Sequence, residues 1–201
     1  MSGEIIRSFA TPSATCYGLA FDGRCLWVVD DSNNKIVQID LNGKILKSFA
    51  APDTSPRGLA FDRRCLWVVG VVTVLIYQID LAGNIVGAFG PPALAPCGLA
   101  FDGRYLWHSD LDTNTIYQLD LSGNVLKSFA SPDGTPRDLA FDGQHLWVAG
   151  DSNNTIYQID INGNVLKSFA DPAVDLKGLT YDGQYLWLTD SGADLIYQIT
   201  V

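Results

Sequence analysis

The chain has a single glutamate, Glu4, and two histidines, His108 and His145, in 201 residues. That scarcity removes most of the side chains that move protons near neutral pH. Charged residues make up only 17%, and their balance is a formal charge of −9. Nucleic acid and anionic membrane surfaces are therefore expected to be poor partners. No apolar run approaches the roughly 18 residues of a membrane span. The first residues run straight into a strand pattern with no signal peptide, which points to a cytoplasmic protein. The cysteines are Cys16, Cys25, Cys65 and Cys97, and none forms a C-x-x-C pair. Free thiols in a reducing compartment are expected, and a bridge or zinc site using the equivalent Cys25 and Cys65 is the lesser reading. No window carries apolar residues at helical spacing, so no helix is predicted.

What the chain does have is a period. Trp27, Trp67, Trp107, Trp147 and Trp187 lie 40 residues apart. The pattern around Trp27, from Gly18-Leu19-Ala20-Phe21-Asp22 to Leu26-Trp27-Val28, recurs at Gly58, Gly98, Asp138 and Gly178. Such a period marks a repeat architecture. In the first repeat, strand signals cover residues 18–22, 25–30, 36–40 and 45–50. Asp22-Gly23 and Asn42-Gly43 supply tight hairpin turns, the segment 31–34 a polar loop, and Pro52 and Pro56 end the fourth strand. Antiparallel four-stranded units of about 40 residues are the blades of a β-propeller. The predicted fold is all-β: a single five-bladed propeller domain over residues 1–201.

The register of the ends argues for closure. Gly3 lies 40 residues before Gly43, so residues 4–10 match the fourth strand at 44–50, and the last repeat stops after its third strand. The N-terminal strand is predicted to complete the last blade, which removes two unpaired edges.

Two segments carry a family resemblance. Pro56-Arg57-Gly58-Leu59-Ala60, and Leu146-Trp147-Val148 followed by Asp151-Ser152-Asn153-Asn154-Thr155-Ile156, resemble NHL-type blades, and the likeness extends over the whole chain. It implies a propeller. It implies no single activity, because that family includes lyases, hydrolases and binding modules. A weaker likeness to propeller lyases and five-bladed glutaminyl cyclases rests on the Gly-Leu, Asp-Gly and Leu-Trp pattern. Cyclase chemistry needs proton-transfer groups at the channel mouth, and Glu4 sits instead on the closing strand.

The recurring residues read first as scaffold. The tryptophans are expected to be wedges between blades rather than a stacking ring for ligands. Tyr77-Gln78 and its repeats pack a ring and leave a hydroxyl in water. Asp22, Asp62, Asp102, Asp142 and Asp182 precede hairpin turns and are expected to accept turn amides. The Asp-Ser-Asn-Asn loops lack the spacing of a calcium loop, so no metal or other cofactor is predicted. His108 replaces an aliphatic strand residue and is expected to be a core histidine; His145, beside a turn, is expected to be solvated. No Ser/His/Asp set is visible.

Positions that differ between otherwise similar repeats mark the candidate site. The position before the first strand reads Tyr17, Arg57, Cys97, Arg137 and Lys177, and is expected to ring the channel mouth on the face of the inter-blade loops. The next position is glycine except at Asp138, expected to pair with a mouth cation. Asp30, Asp110 and Asp190 end the second strand and are expected to form an acidic rim. This set is either a pocket for a small polar ligand or peptide, or a solvated face without a role. A second candidate is Val71, Val72, Val74 and Leu75, apolar where the other repeats are polar, read as a contact patch for a target protein or for weak self-association of an otherwise monomeric chain. The function expected is a non-catalytic binding module. A propeller-type lyase or cyclase and a repeat-derived scaffold with no ligand are the alternatives.

Overall fold

The computed structural model describes residues 2–201. Blade 1 consists of β2 (Cys16–Phe21), β3 (Leu26–Asp30), β4 (Lys35–Ile39) and β5 (Ile45–Ala50). Blade 2 holds β6 (Pro56–Phe61), β7 (Leu66–Gly70), β8 (Leu75–Ile79) and β9 (Ile85–Phe89), and blade 3 holds β10 (Pro96–Phe101), β11 (Leu106–Asp110), β12 (Thr115–Leu119) and β13 (Val125–Ala130). Blade 4 follows with β14 (Pro136–Phe141), β15 (Leu146–Gly150), β16 (Thr155–Ile159) and β17 (Val165–Ala170). Blade 5 combines β18 (Leu176–Tyr181), β19 (Leu186–Asp190) and β20 (Leu195–Ile199) with β1 (Ile5–Ala10) from the other end of the chain. Each blade is a four-stranded antiparallel sheet, and the first strands β2, β6, β10, β14 and β18 pack on one another in a closed ring.

The closing strand pairs as the repeat register predicts. Ile5 faces Ile199, and Ala10 faces Leu195. Arg7 Nε donates to Gln198 Oε1 at 2.8 Å and its guanidinium lies over Trp187, while Phe9 meets the same indole at 6.0 Å between centroids.

The tryptophans are buried wedges. Trp27 packs with Val29 and Ile36 of its own blade and with Leu59, Leu66 and Val68 of the next. Trp187 does the same between blades 5 and 1, against Cys16, Leu19 and Leu26. Truncating one such side chain to alanine costs about 3–5 kcal/mol. All four cysteines are buried and free.

The loops sort to two faces. The amide of Asp31 donates to Thr15 O and that of Ala51 to Asn34 O, so the inter-blade loop and the loop between the second and third strands lie together on what we term the upper face. The Asp-Gly and Asn-Gly turns form the lower face, with glycine at positive φ, for example 94° at Gly23 and 85° at Gly43.

Candidate functional site

On the lower face one module repeats in every blade. Asp22 Oδ1 accepts the turn amides of Arg24 at 2.9 Å and Cys25 at 2.7 Å. Its Oδ2 accepts Trp27 Nε1 at 2.8 Å and Gln38 Nε2 at 3.0 Å. Asp62, Asp102, Asp142 and Asp182 bind the matching Trp and Gln of their own blades. Turn amides were legible from the sequence; the indole and the glutamine were not, because they arrive from the second and third strands. His145 is half-buried against this module, 3.5 Å from Asp142 and 3.4 Å from Gln158, rather than fully solvated. Between the modules the channel opens as a cavity of about 540 Å³ lined by Phe21, Phe61, Phe101, Phe141 and Tyr181 with Arg63. It narrows inward to a space of about 90 Å³ walled by the first strands.

Asp138 lies on the upper side of that narrowing, with a relative exposure of 0%. The expected pairing with a mouth cation is corrected: its Oδ1 accepts the amide of Leu99 at 3.1 Å and its Oδ2 that of Leu179 at 2.8 Å. The amides of Leu139 and Leu19 also bond to it. Burial prevails and raises the carboxyl well above the usual carboxylate range, although these amides oppose it.

The predicted acidic rim is corrected as well. Asp30, Asp110 and Asp190 are buried at 3%, 0% and 0% exposure. They bind loop amides. Asp110 accepts Ala95 N at 2.9 Å, Asp112 N at 3.1 Å, and Thr113 N and Oγ1 at 2.9 and 3.0 Å. Asp190 accepts Val174 N, Asp175 N, Gly192 N and Ala193 N, and Asp30 accepts Asn33 N and Ser13 Oγ. Where blades 2 and 4 carry Gly70 and Gly150, Asp53 and Asp133 of the inter-blade loops occupy the place. A Cβ on Gly70 would lie 2.7 Å from Asp53 Oδ2, and one on Gly150 2.5 Å from Asp133 Cγ. Burial raises Asp53 but the hydrogen bonds from Thr73, Ser55 and Val72 prevail and hold it below the usual carboxylate range. The sequence did hold a signal: Asp at position 53 or 133 coincides with Gly at 70 or 150.

The mouth residues do converge in part. The Arg57 guanidinium stacks on the Tyr17 ring at 4.1 Å. Burial raises the Tyr17 hydroxyl above its ordinary value, against the pull of Arg57. Arg57, Cys97 and Arg137 line one cavity of about 150 Å³ with Val71, Pro96 and Leu111. Burial pushes the Cys97 thiol up to about 11, so it stays protonated. Arg137 is anchored through Nε and Nη2 to Asp151 Oδ2 at 2.9 and 2.5 Å, and Lys177 Nζ is held by Asp175 Oδ1 at 2.5 Å, outside that cavity. Arg57 Nε is buried without a hydrogen-bond partner among the described residues. His108 is in the core, its Nδ1 3.2 Å from Gly98 O, and burial lowers its pKa to about 4.

The apolar stretch at 71–75 is divided by the fold. Val71 packs on the core between blades 2 and 3, and Leu75 on that between blades 1 and 2. Val74 is half-buried with φ at 53°, and Val72 alone stands out at 66% exposure. The contiguous exposed patch expected there is therefore absent, because the turn directs Val71 and Leu75 at its two ends onto the cores.

No protein-family model and no curated protein sequence matches the chain. Solved structures do. A glutaminyl cyclase from Myxococcus xanthus superposes with a TM-score of 0.83 at 14% identity over 98% of this chain and 94% of that one. Virginiamycin B lyase from Staphylococcus aureus gives 0.60 at 22% identity over 96% and 68%. A chain of a nidogen/laminin complex gives 0.65 at 20% over 87% and 72%. Enzymes and a protein complex thus share the propeller architecture, and the likeness establishes that fold alone; the five blades are those of this chain.

Proposed function

We propose that the protein is a non-catalytic binding module whose upper channel mouth takes a small carboxylate with an apolar tail, free or at the end of a peptide. The observation that carries this reading is that Arg57, whose buried Nε has no hydrogen-bond partner among the described residues, lines one cavity with Arg137. A guanidinium that is not fully paired is costly to bury, and a ligand carboxylate in the cavity offers it a charge-assisted bond. Arg137, fixed by Asp151 through Nε and Nη2, brings a second guanidinium to the same cavity. Val71, Pro96 and Leu111 supply the apolar side. A cavity of about 150 Å³ matches the one that holds a benzene-sized group elsewhere.

Ligand-observed NMR with acetate, 4-methylpentanoate, phenylacetate and N-acetyl-leucine tests the reading. The tailed carboxylates are expected to bind, and Arg57→Ala with Arg137→Ala to abolish binding. No binding by any of the four, or binding unchanged in the double variant, refutes it. The fold similarity to glutaminyl cyclase and virginiamycin B lyase favours a second reading, an enzyme. Incubation with a glutaminyl peptide and with virginiamycin B decides it, since any turnover above buffer removes the non-catalytic reading.

A further inference from the structure

The first strand of every blade shifts register ahead of its leucine: in blade 1 Cys16 pairs with Asp30, yet Leu19 pairs with Val28. The same irregularity occurs in blades 2 to 4, and in blade 5 the shift falls before Gly178, which pairs with Thr189. It places a glycine at the axis, where the blades nearly touch. A Cβ on Gly18 would lie 2.4 Å from Arg57 O, on Gly58 2.3 Å from Cys97 O, and on Gly178 2.2 Å from Tyr17 O. Only blade 4 has a side chain there, Asp138, and it reaches amides of blades 1, 3, 4 and 5.

We infer that this axial ring of backbone amides is an anion-binding site, sized for one carboxylate, and that Asp138 is its tethered occupant. Both oxygens accept amides from different blades, an arrangement that favours the carboxylate anion and opposes the effect of burial. No salt bridge reaches Asp138 among the described residues, so backbone dipoles rather than a cation hold the charge. With that occupant removed, the ring takes a free anion of the same kind from solution.

The test is chemical rescue in the full chain. Asp138→Gly is expected to lower Tm by roughly 5–10 °C. Sodium formate should restore Tm along a saturable curve, whereas sodium pivalate at equal ionic strength, the same charge on a bulkier body, should not. If Asp138→Gly folds only when refolded with formate, that is the same rescue; failure to fold with formate overturns the inference, as do equal responses to the two salts. Asp138→Asn keeps the shape but turns an amide group toward amide donors, so it should lose as much Tm as the glycine variant and gain nothing from formate. A wild-type Tm in Asp138→Asn overturns the inference. Formate rescue should persist when Arg57→Ala and Arg137→Ala are added; its loss would assign the anion to the mouth instead.

Discussion

Asp53, on an inter-blade loop, and Asp110, at the end of a second strand, make the same set of contacts, and that equivalence supports a double-mutant cycle. Asp53 accepts Ser55 N at 2.7 Å, Val72 N at 3.4 Å, and Thr73 N and Oγ1 at 2.9 and 2.7 Å. Those donors occupy the repeat positions of Ala95, Asp112 and Thr113, which serve Asp110. Asp53→Ala strips the acceptor from the loop. Bonds to a charged group are worth about 1.5–3 kcal/mol each, but water replaces part of the loss at the loop surface, so about 3 kcal/mol is expected. For a chain of this size that is roughly 6–12 °C in Tm. Gly70→Asp alone drives a Cβ to 2.7 Å from Asp53 Oδ2 and sets two carboxylates in one site. Overpacking and like charge together should cost about 2–4 kcal/mol. The double variant Asp53→Ala, Gly70→Asp recreates the pairing already present as Ala93 with Asp110. It should recover most of both losses, a coupling of at least about 2 kcal/mol. Urea unfolding followed by tryptophan fluorescence measures each corner. Additive losses in the double variant would show that the two carboxylates are not interchangeable and that the burial of Asp110 has another cause.

Three further outcomes are expected. Val74 holds φ at 53° where the other blades have Asn34, Asn114, Asn154 and Asp194, so Val74→Asn should stabilise by about 1 kcal/mol in urea melts. Asp102→Asn must turn an amide donor toward either the Arg104 and Tyr105 amides or the Trp107 indole, and should cost about 1–3 kcal/mol with a change in tryptophan emission. His108, with a folded pKa of about 4 against 6.5 unfolded, is neutral in the fold, so the unfolded chain takes up the proton first and stability drops between those pH values. His108→Val should flatten that drop by roughly 3 kcal/mol, and an unchanged acid limb would contradict it.

The legible part of the molecule is the part that local pattern controls. Trp27 and its repeats fix the period, Asn42-Gly43 fixes a turn, and the offset between Gly3 and Gly43 fixes the closure, because each depends on residues close in sequence or on an exact repeat distance. The illegible part depends on atoms brought from several blades at once. Asp138 reads as the partner of a mouth cation until amides of four blades are seen to meet on it. Asp30, Asp110 and Asp190 read as a surface rim because a strand end beside a polar loop is ordinarily wet, whereas here the inter-blade loop folds over each of them. Val71 and Leu75 read as exposed because their counterparts are polar, whereas the turn aims them at two different cores.

These departures are not spread evenly over the propeller. The lower face repeats one Asp-Trp-Gln module in every blade, so a ligand there meets nearly the same surroundings five times over. The upper face has Tyr17, Arg57, Cys97, Arg137 and Lys177 at one repeat position, an axial carboxylate from a single blade, and loop-binding carboxylates supplied by the second strand in some blades and by the inter-blade loop in others. A ring of equal parts offers no preferred orientation to an asymmetric ligand, whereas a mouth with its arginines on one side does. Arg57 and Arg137 flank the same cavity while Lys177 is drawn away by Asp175, so charge at the mouth is concentrated over blades 2 to 4. That asymmetry on a rigid, closed ring is the physical reason to look for the ligand on the upper face.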